Sequence, residues 1–485
     1  MNAHHHRRRT LAGSVIGAVI VALDGTVLTV AQPSIQRDLH ASFAQVQWAG
    51  TGYLIAVASL LVLAGRLGDR YGHQRLFALG MLGFGATSAG IGLAPGIGWV
   101  IGLRVAQGVF GALLQPATLG MLRAAYPPDR LQMPLALRTS AIGVAAAAGP
   151  VVGGALTTHL GWRSVFFLNV VPALLTGVAA LLLRAPAVAA AGKASGTRLD
   201  LPGACLLAVA SAALVHTLVG IPEAGWTTAT ALGLATAAAA GGWFVRHVRR
   251  SASPLVPPSV LRSAPVASAL GILLSASASL FGTLFIGTYF LQDVLALDAL
   301  QSGLRVLPLA VMMVLSAPAG AILQRRYGTR RTALAGMSLL ALGILLFSRL
   351  GPQSTAAAVG GCFLAMGAGF GTVMVTATAV VVQGVPAEHS GVAGGLQQTA
   401  MNIGPAVGVA VATMLMTATT GPAGASRSAM HATLLPLTAV ALVGALLSLP
   451  LPGRAHDRRP RPGARRRIPG VRRLRPAPDG RAEEP

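Results

Sequence analysis

Long apolar runs broken by short polar clusters dominate this chain. Fourteen of them, at roughly 11–35, 46–66, 76–95, 97–121, 135–157, 164–184, 201–220, 227–247, 266–291, 302–323, 332–350, 355–382, 391–417 and 430–450, reach about the 20 residues that a helix needs to cross a hydrocarbon core of ~30 Å. The pattern predicts an all-α integral membrane protein with 14 transmembrane helices and short connections. With 485 residues in total, almost nothing remains for a separate soluble domain. The first run contains Asp24 and is too long for a secretory leader, so it reads as a retained span. His4–His6 receive no role.

Composition agrees with the pattern. Hydrophobic residues make up 53% of the chain, charged residues 10%, and the mean hydropathy is +0.66. A soluble protein carries about 25% charged residues, so a soluble multidomain enzyme and a disordered chain are both excluded. Cys205 and Cys362 lie in apolar runs and read as packing residues.

The formal net charge of +24 then needs an explanation. With the N-terminus placed in the cytoplasm, 31 of the 37 Lys and Arg residues fall on inner segments, five on outer connections and Arg104 inside a span. The positive-inside rule therefore predicts a multi-pass plasma-membrane protein with both termini cytoplasmic. The expected organisation is a cytoplasmic N-terminus (1–10), a six-helix bundle (11–184) and a linker with two extra helices (185–265), then a second six-helix bundle (266–450) and a disordered basic tail (451–485). That Arg/Pro-rich tail reads as a topology anchor on anionic lipid headgroups, with no nucleic-acid partner expected.

Between the second and third spans the chain reads GRLGDRYGHQR, from Gly65 to Arg75. Gly65, Gly68 and Gly72 permit a tight inner turn, Asp69 can accept hydrogen bonds from a helix N-terminus, and Arg70 and Arg75 can meet carboxylates or helix C-termini. The string resembles the signature loop of the major facilitator superfamily. Further likenesses are RVAQGVFGALLQP in span four, GVAAAAGPVVGG in span five and LDGTVLTVAQPSI in span one, together with GWRSVFFLNVVP, LDLPG and YFLQDVLALDALQSGLRVLP. As a set they resemble the fourteen-helix drug:proton antiporter family over roughly 11–450, which implies the major facilitator fold of two six-helix bundles plus two central helices. The resemblance makes Gly65, Asp69, Arg70, Gly72 and Arg75 a conformational gating loop. It makes Gly143, Gly149, Pro150, Gly153 and Gly154 an antiporter motif, with the close contact of a seal between the halves.

Departures from the family pattern are Thr29 and Gln32 in span one and the extra Val171 between Asn169 and Pro172. ILQRRYGTRR echoes the signature loop 256 residues later (Gly328 against Gly72), with Arg325 where the first copy has Asp69. That spacing fits a duplication of two halves. The intervening spans are Ala-rich, and their His216 reads as a packed or outer-end histidine.

Of thirteen acidic residues, Asp24 alone lies well inside a span. An ionisable group there costs roughly 2.5–3.5 kcal/mol on an insertion scale, so it marks function by default. Arg104 must also find a partner, and Asp24 is the interior carboxylate open to it. The pair is the expected proton-coupling site; the alternatives are a hydrogen-bonding role for Asp24 and a carbonyl-bound, purely structural Arg104. The substrate cavity is expected to include Tyr53, Gln107, Gln115, Tyr289, Gln292, Gln397, Gln398 and Asn402, with Phe281, Phe285 and Met374. Each of these also fits ordinary helix packing. Spans nine to fourteen contain no acidic group away from their ends, which argues against a dication as cargo. No GxxxxGK[ST] loop or metal-type cluster is present, so neither a cofactor nor a metal is expected and the proton gradient supplies the drive.

The expected function is export of amphipathic small molecules, such as antibiotics, by a proton antiporter that works by alternating access as a monomer. The alternatives are proton-coupled uptake and a non-transporting receptor. An enzyme is not expected.

Overall fold

The computed structural model describes residues 3–182, 200–251, 254–297, 299–419 and 427–452. Among them the chain is helical, with no strand: α1 (Ala3–Asp38), α2 (Phe43–Tyr71), α3 (His73–Gly92), α4 (Ile97–Ala125), α5 (Gln132–Leu160), α6 (Arg163–Leu182), α7 (Leu201–Ala224), α8 (Thr228–Arg250), the short α9 (Pro258–Arg262), α10 (Ala264–Tyr289), α11 (Ala299–Tyr327), α12 (Thr329–Phe347), α13 (Ala356–Gln383), α14 (Ser390–Thr419) and α15 (Arg427–Leu446). A π turn, Phe290–Val294, continues α10. The predicted basic tail from residue 453 onward, and Lys193 and Arg198 of the predicted linker, lie outside the described residues.

Among the described residues, eleven helices are long and apolar enough to cross a membrane, and α5 makes a twelfth if its two bent segments form one span. The other two positions of the fourteen-run reading are α3 and α15. Helix α3 opens on His73-Gln74-Arg75 and carries Thr87, Ser88 and several glycines, which dilute its hydropathy. Helix α15 presents a shorter apolar segment, Met430–Leu446. Residues 3–10, expected as the N-terminal segment, form the first turns of α1, which runs unbroken from Ala3.

Starts and stops follow local chemistry. Ser42 closes a capping box with Gln45 at the start of α2, Thr227 does so with Thr230 for α8, and the Thr355 hydroxyl accepts from Ala358 N at α13. Gly72 (φ +95°) turns the chain between α2 and α3, and Gly328 (φ +85°) makes the same turn between α11 and α12.

The two halves repeat one packing scheme. In the first, α2 packs on α4, α3 on α6 and α4, and α1 on α5; in the second, α11 packs on α13, α12 on α15 and α13, and α10 on α14. Advancing each label by nine maps the first set onto the second, as a duplication requires. The halves meet along two seams related in the same way, α2 against α14 and α5 against α11. Helices α7 and α8 form a hairpin whose α7 covers the α2–α14 seam. Asp200 ties that hairpin together: its carboxylate accepts from Gly203 N and Leu255 N at 2.9 Å and meets His247 Nε2 at 2.7 Å.

Both seams close near the arginine-rich end. There Arg123 donates to the Val385 carbonyl across the halves, while Arg7 Nε donates to the Ala125 carbonyl within the first half. Arg325 reaches Gln132 Oε1 at 3.2 Å and the Asp129 carbonyl at 2.8 Å. At the opposite end Asp38 accepts from Trp162 Nε1 at 2.9 Å and from Arg163 Nη1 at 2.5 Å, fixing α1 to α6.

Candidate functional site: a buried ion pair and a glycine-lined seam

Asp24 stands midway along α1 and Arg104 in the second turn of α4, and both are almost wholly buried (4% and 1% exposed). Arg104 Nη1 donates to Asp24 Oδ2 at 2.6 Å. The same Nη1 lies 2.6 Å from Gln107 Oε1, and Arg104 Nε donates to the Ala49 carbonyl of α2 at 3.2 Å. The guanidinium carbon lies 4.4 Å from the Tyr53 ring centroid, a cation–π distance. Asp24 Oδ1 accepts from Asn169 Nδ2 of α6 at 3.2 Å and from Gln107 Nε2 at 3.4 Å, and Gln107 Nε2 also donates to Ser88 Oγ of α3 at 2.6 Å. Five helices of the first half thus meet in one network, in which α4 and α6 reach the α1 carboxylate directly and α2 and α3 hold Arg104 and Gln107.

Each contact follows from helix register. Gln107 is three residues past Arg104, so both leave the same face of α4. Gly108 and Gly111 lie against α2 around Tyr53: a Cβ on Gly108 would stand 2.7 Å from the Tyr53 carbonyl oxygen, and one on Gly111 3.1 Å from its hydroxyl. That close approach lets Arg104 reach the carbonyl of Ala49. An ion pair away from water persists only with its remaining hydrogen-bonding capacity met, and here the amides of Gln107 and Asn169 meet it. The Tyr53 hydroxyl is buried with no partner.

The residues expected at the substrate cavity fall in several places. Tyr53 and Gln107 belong to the Asp24–Arg104 network, because the α4 register points Gln107 at Asp24. Tyr289 at the end of α10 and Gln292 in the π turn that follows are exposed. Phe285 packs edge-on against Tyr289, and Phe281 against Phe370. Met374 is buried in the core of the second half. Gln397 Nε2 donates to Thr378 Oγ1 of α13 at 3.3 Å. Gln115 and Gln398 do meet, by a short hydrogen bond from Gln398 Nε2 to Gln115 Oε1 across the two halves. Asn402 follows one turn later on α14, its buried Nδ2 without a partner.

The loop 65–75 lies at the seam. Asp69 accepts from Gly391 N at 2.7 Å and Val392 N at 3.1 Å, the first amides of α14, where the helix dipole favours a carboxylate. His73 Nε2 lies 3.3 Å from Asp69 Oδ1 and 3.1 Å from Ser390 Oγ, and Arg66 reaches His389 Nδ1 at 3.2 Å. Arg70 stacks over Tyr71 and, like Arg75, is exposed. Gly72 supplies the positive φ.

The glycines of α5 divide between two surfaces. Gly143 packs on Val314 of α11 in the other half, 3.1 Å from where its Cβ would be, and Ser140 Oγ donates to the Val314 carbonyl at 2.7 Å. Gly149 and Gly153 instead lie against Thr26 and Val27 of α1 within the same half. The motif therefore does not face the other half along its whole length: six and ten residues beyond Gly143 the helix face has turned, and α5 itself bends by 43° between Gln132–Ala146 and Val151–Leu160, a break that holds Gly149 and Pro150. Gly154 is half-buried. Outside the seam, His216 of α7 stacks on Trp48 of α2 at 5.4 Å.

Sequence reasoning missed Ser88, Ala49 and Asn169 as members of the Asp24 network. Asn169 had one signal, an amide in an apolar span, but it entered only through the spacing to Pro172.

Comparison with known proteins places this geometry. Residues 14–409 match the family model described as Major Facilitator Superfamily. A tetracenomycin C resistance and export protein of Streptomyces glaucescens is 40% identical over 413 residues, covering 85% of this chain and 76% of the relative. The multidrug efflux pump LfrA of Mycolicibacterium smegmatis is 31% identical over 410 residues, covering 84% and 80%. The crystal structure of the human organic anion transporter MFSD10 superposes with a TM-score of 0.65 at 16% identity, over 91% of this chain and 99% of that one, a likeness of fold. The chain is a multi-pass membrane protein, and it belongs to the major facilitator superfamily of transporters.

Proposed function

We propose that this protein is a proton-coupled antiporter that exports amphipathic small molecules, antibiotics among them, across the plasma membrane by alternating access. The observation that carries the reading is the Asp24–Arg104 pair, a carboxylate of α1 held inside the bundle by side chains of α4 and α6. Breaking a buried ion pair by removing one partner costs about 3–5 kcal/mol, so the pair is kept only where its charge state is used or its removal is ruinous. Protonation of Asp24 ends its ion pair with Arg104, which keeps Gln107 Oε1, the Ala49 carbonyl and the Tyr53 ring as partners. The site therefore has two satisfied arrangements, one per protonation state, as a coupling element requires.

The proposed topology has fourteen spans with the arginine-rich end cytoplasmic, by the charge bias of the connections. With that orientation, closure of both seams at the basic end describes a state facing outward, and Asp24 lies in the outer part of the bundle. Arg104 stands about 10 Å along α4 from its outer end, at 1.5 Å per residue. Opposing movements of the two halves about the duplicated seams then alternate access. The relatives include proteins named for tetracenomycin C export and multidrug efflux, which supports export over uptake. The protein is proposed to act as a monomer with no cofactor, its basic tail on anionic lipid.

The test is transport in proteoliposomes with an imposed pH gradient. Tetracenomycin C, offered as the probe, should move against its gradient while protons move the other way, and a protonophore should abolish the movement. Transport indifferent to the gradient would overturn the proposal.

A further inference from the structure

Helices α4 and α14 pack together across the two halves. Near the basic end a Cβ on Gly394 would stand 3.4 Å from Pro116 Cα and from Leu119, so the backbones are close there. One turn farther from that end, Gln398 of α14 meets Gln115 of α4 in a hydrogen bond between the two halves. Another turn on, Asn402 occupies the same face of α14, four residues past Gln398. Its Nδ2 is buried, and among the described residues no protein group accepts from it. A buried amide N–H without an acceptor costs about 1–3 kcal/mol, and such groups in a native structure call for an explanation.

Charge narrows what the acceptor can be. Helices α10 to α15 contain no Asp or Glu anywhere along their lengths. In the first half the interior carboxylate, Asp24, already accepts from Arg104, Gln107 and Asn169. A cation entering between the halves would meet amides and no free carboxylate, and desolvating it there would go uncompensated. A neutral molecule with carbonyl or hydroxyl oxygens could accept from Asn402 at no such cost.

We infer that Gln115, Gln398 and Asn402 form the recognition shelf of the transport pathway, and that its ligands are uncharged compounds presenting carbonyl or hydroxyl oxygens. Asn402 donates to a ligand oxygen, and the Gln115–Gln398 bond is the floor on which the ligand rests while the basic end is closed. The bond crosses the seam, so it must break when that end opens. Ligand recognition and opening thereby share residues. The inference deepens the exporter reading and rests on it for the direction of movement, but not for binding.

The test is equilibrium binding to the purified full-length protein, followed by tryptophan quenching. The probes are emodin, an uncharged hydroxyanthraquinone in mildly acidic buffer, and ethidium, a permanent cation of similar planar size. Wild type should bind emodin more tightly than ethidium. Asn402→Leu, which keeps the size and loses the donor, should weaken emodin binding about tenfold and leave ethidium unchanged. If that variant does not fold, Asn402→Ala gives the same readout. No emodin binding, ethidium bound as tightly as emodin, or an unchanged emodin affinity in both variants would overturn the inference. Emodin binding that persists while pH-driven transport fails would instead count against the antiporter reading alone.

Discussion

Gly65 of α2 and Gly391 of α14 meet backbone to backbone across the seam between the two halves. A Cβ on Gly65 would lie 2.5 Å from the Gly391 carbonyl carbon and 3.0 Å from Val392 N, so no larger residue fits without parting the helices. Asp69 accepts from Gly391 N and Val392 N at the same spot, and this pins the first turn of α14 to the end of α2. Close backbone contact and a charge-assisted cap therefore stabilise one shape of the molecule, the one closed at its basic end.

Gly65→Ala and Gly391→Ala should both disfavour that closed shape. Distances between spin labels placed on α2 and α14 at the basic end should lengthen in a larger share of molecules than in wild type. An unchanged distance distribution would show that the seam tolerates the added methyl.

Asp69→Asn keeps size and removes charge. It should weaken two charge-assisted hydrogen bonds at the N-terminus of α14, at a cost of about 1–3 kcal/mol to the closed shape. The same spin-label pair reads the effect, and the shift should match the glycine variants in direction.

Arg104→Lys tests the geometry of the interior. Arg104 donates to Asp24 Oδ2 and Gln107 Oε1 through Nη1 and to the Ala49 carbonyl through Nε, from a fixed planar fork. A lysine ammonium keeps the charge but cannot span all three positions. Thermal unfolding in detergent should show a clear fall in Tm for Lys and a larger one for Leu, which leaves Asp24 unpaired at a cost of about 3–5 kcal/mol. Equal melting of both variants with wild type would mean that the pair contributes little to folding.

At the opposite end, hydrogen bonds from Trp162 and then Arg163 hold the Asp38 carboxyl below its ordinary pKa. A depressed carboxyl stabilises the folded state above its unfolded value, near pH 4, and loses that contribution as pH falls through the folded value. In a variant retaining Trp162 as its sole tryptophan, emission should therefore hold steady through neutral pH and change only under strong acid. Asp38→Asn should remove that transition.

Much of this was legible in the sequence because charge is scarce there. With Asp24 the interior carboxylate read from the sequence, Arg104 has little choice of partner, and the two do pair. The repeat of GRLGDRYG as LQRRYG gave the duplication, which reappears as matched helix pairings in the two halves. Ser88 and Asn169 could not be found this way: neutral polar side chains occur throughout apolar helices, and only the relative rotation of α3, α4 and α6 brings these two to Gln107 and Asp24. For the same reason the string from Gly143 to Gly154 could not reveal that Gly143 faces α11 while Gly149 and Gly153 face α1. Spacing along one helix fixes which residues share a face, and the neighbour on that face is a matter of assembly.

The central claim is that Asp24 carries the coupled proton. The direct measurement is drug-induced proton movement in proteoliposomes, followed with an entrapped pH-sensitive dye, for wild type and Asp24→Asn. Asparagine retains the hydrogen-bonding shape but cannot exchange a proton, so the variant should show no drug-induced proton flux and no uphill transport, while downhill exchange of compound persists. Proton flux and uphill transport at wild-type levels in Asp24→Asn would contradict the account.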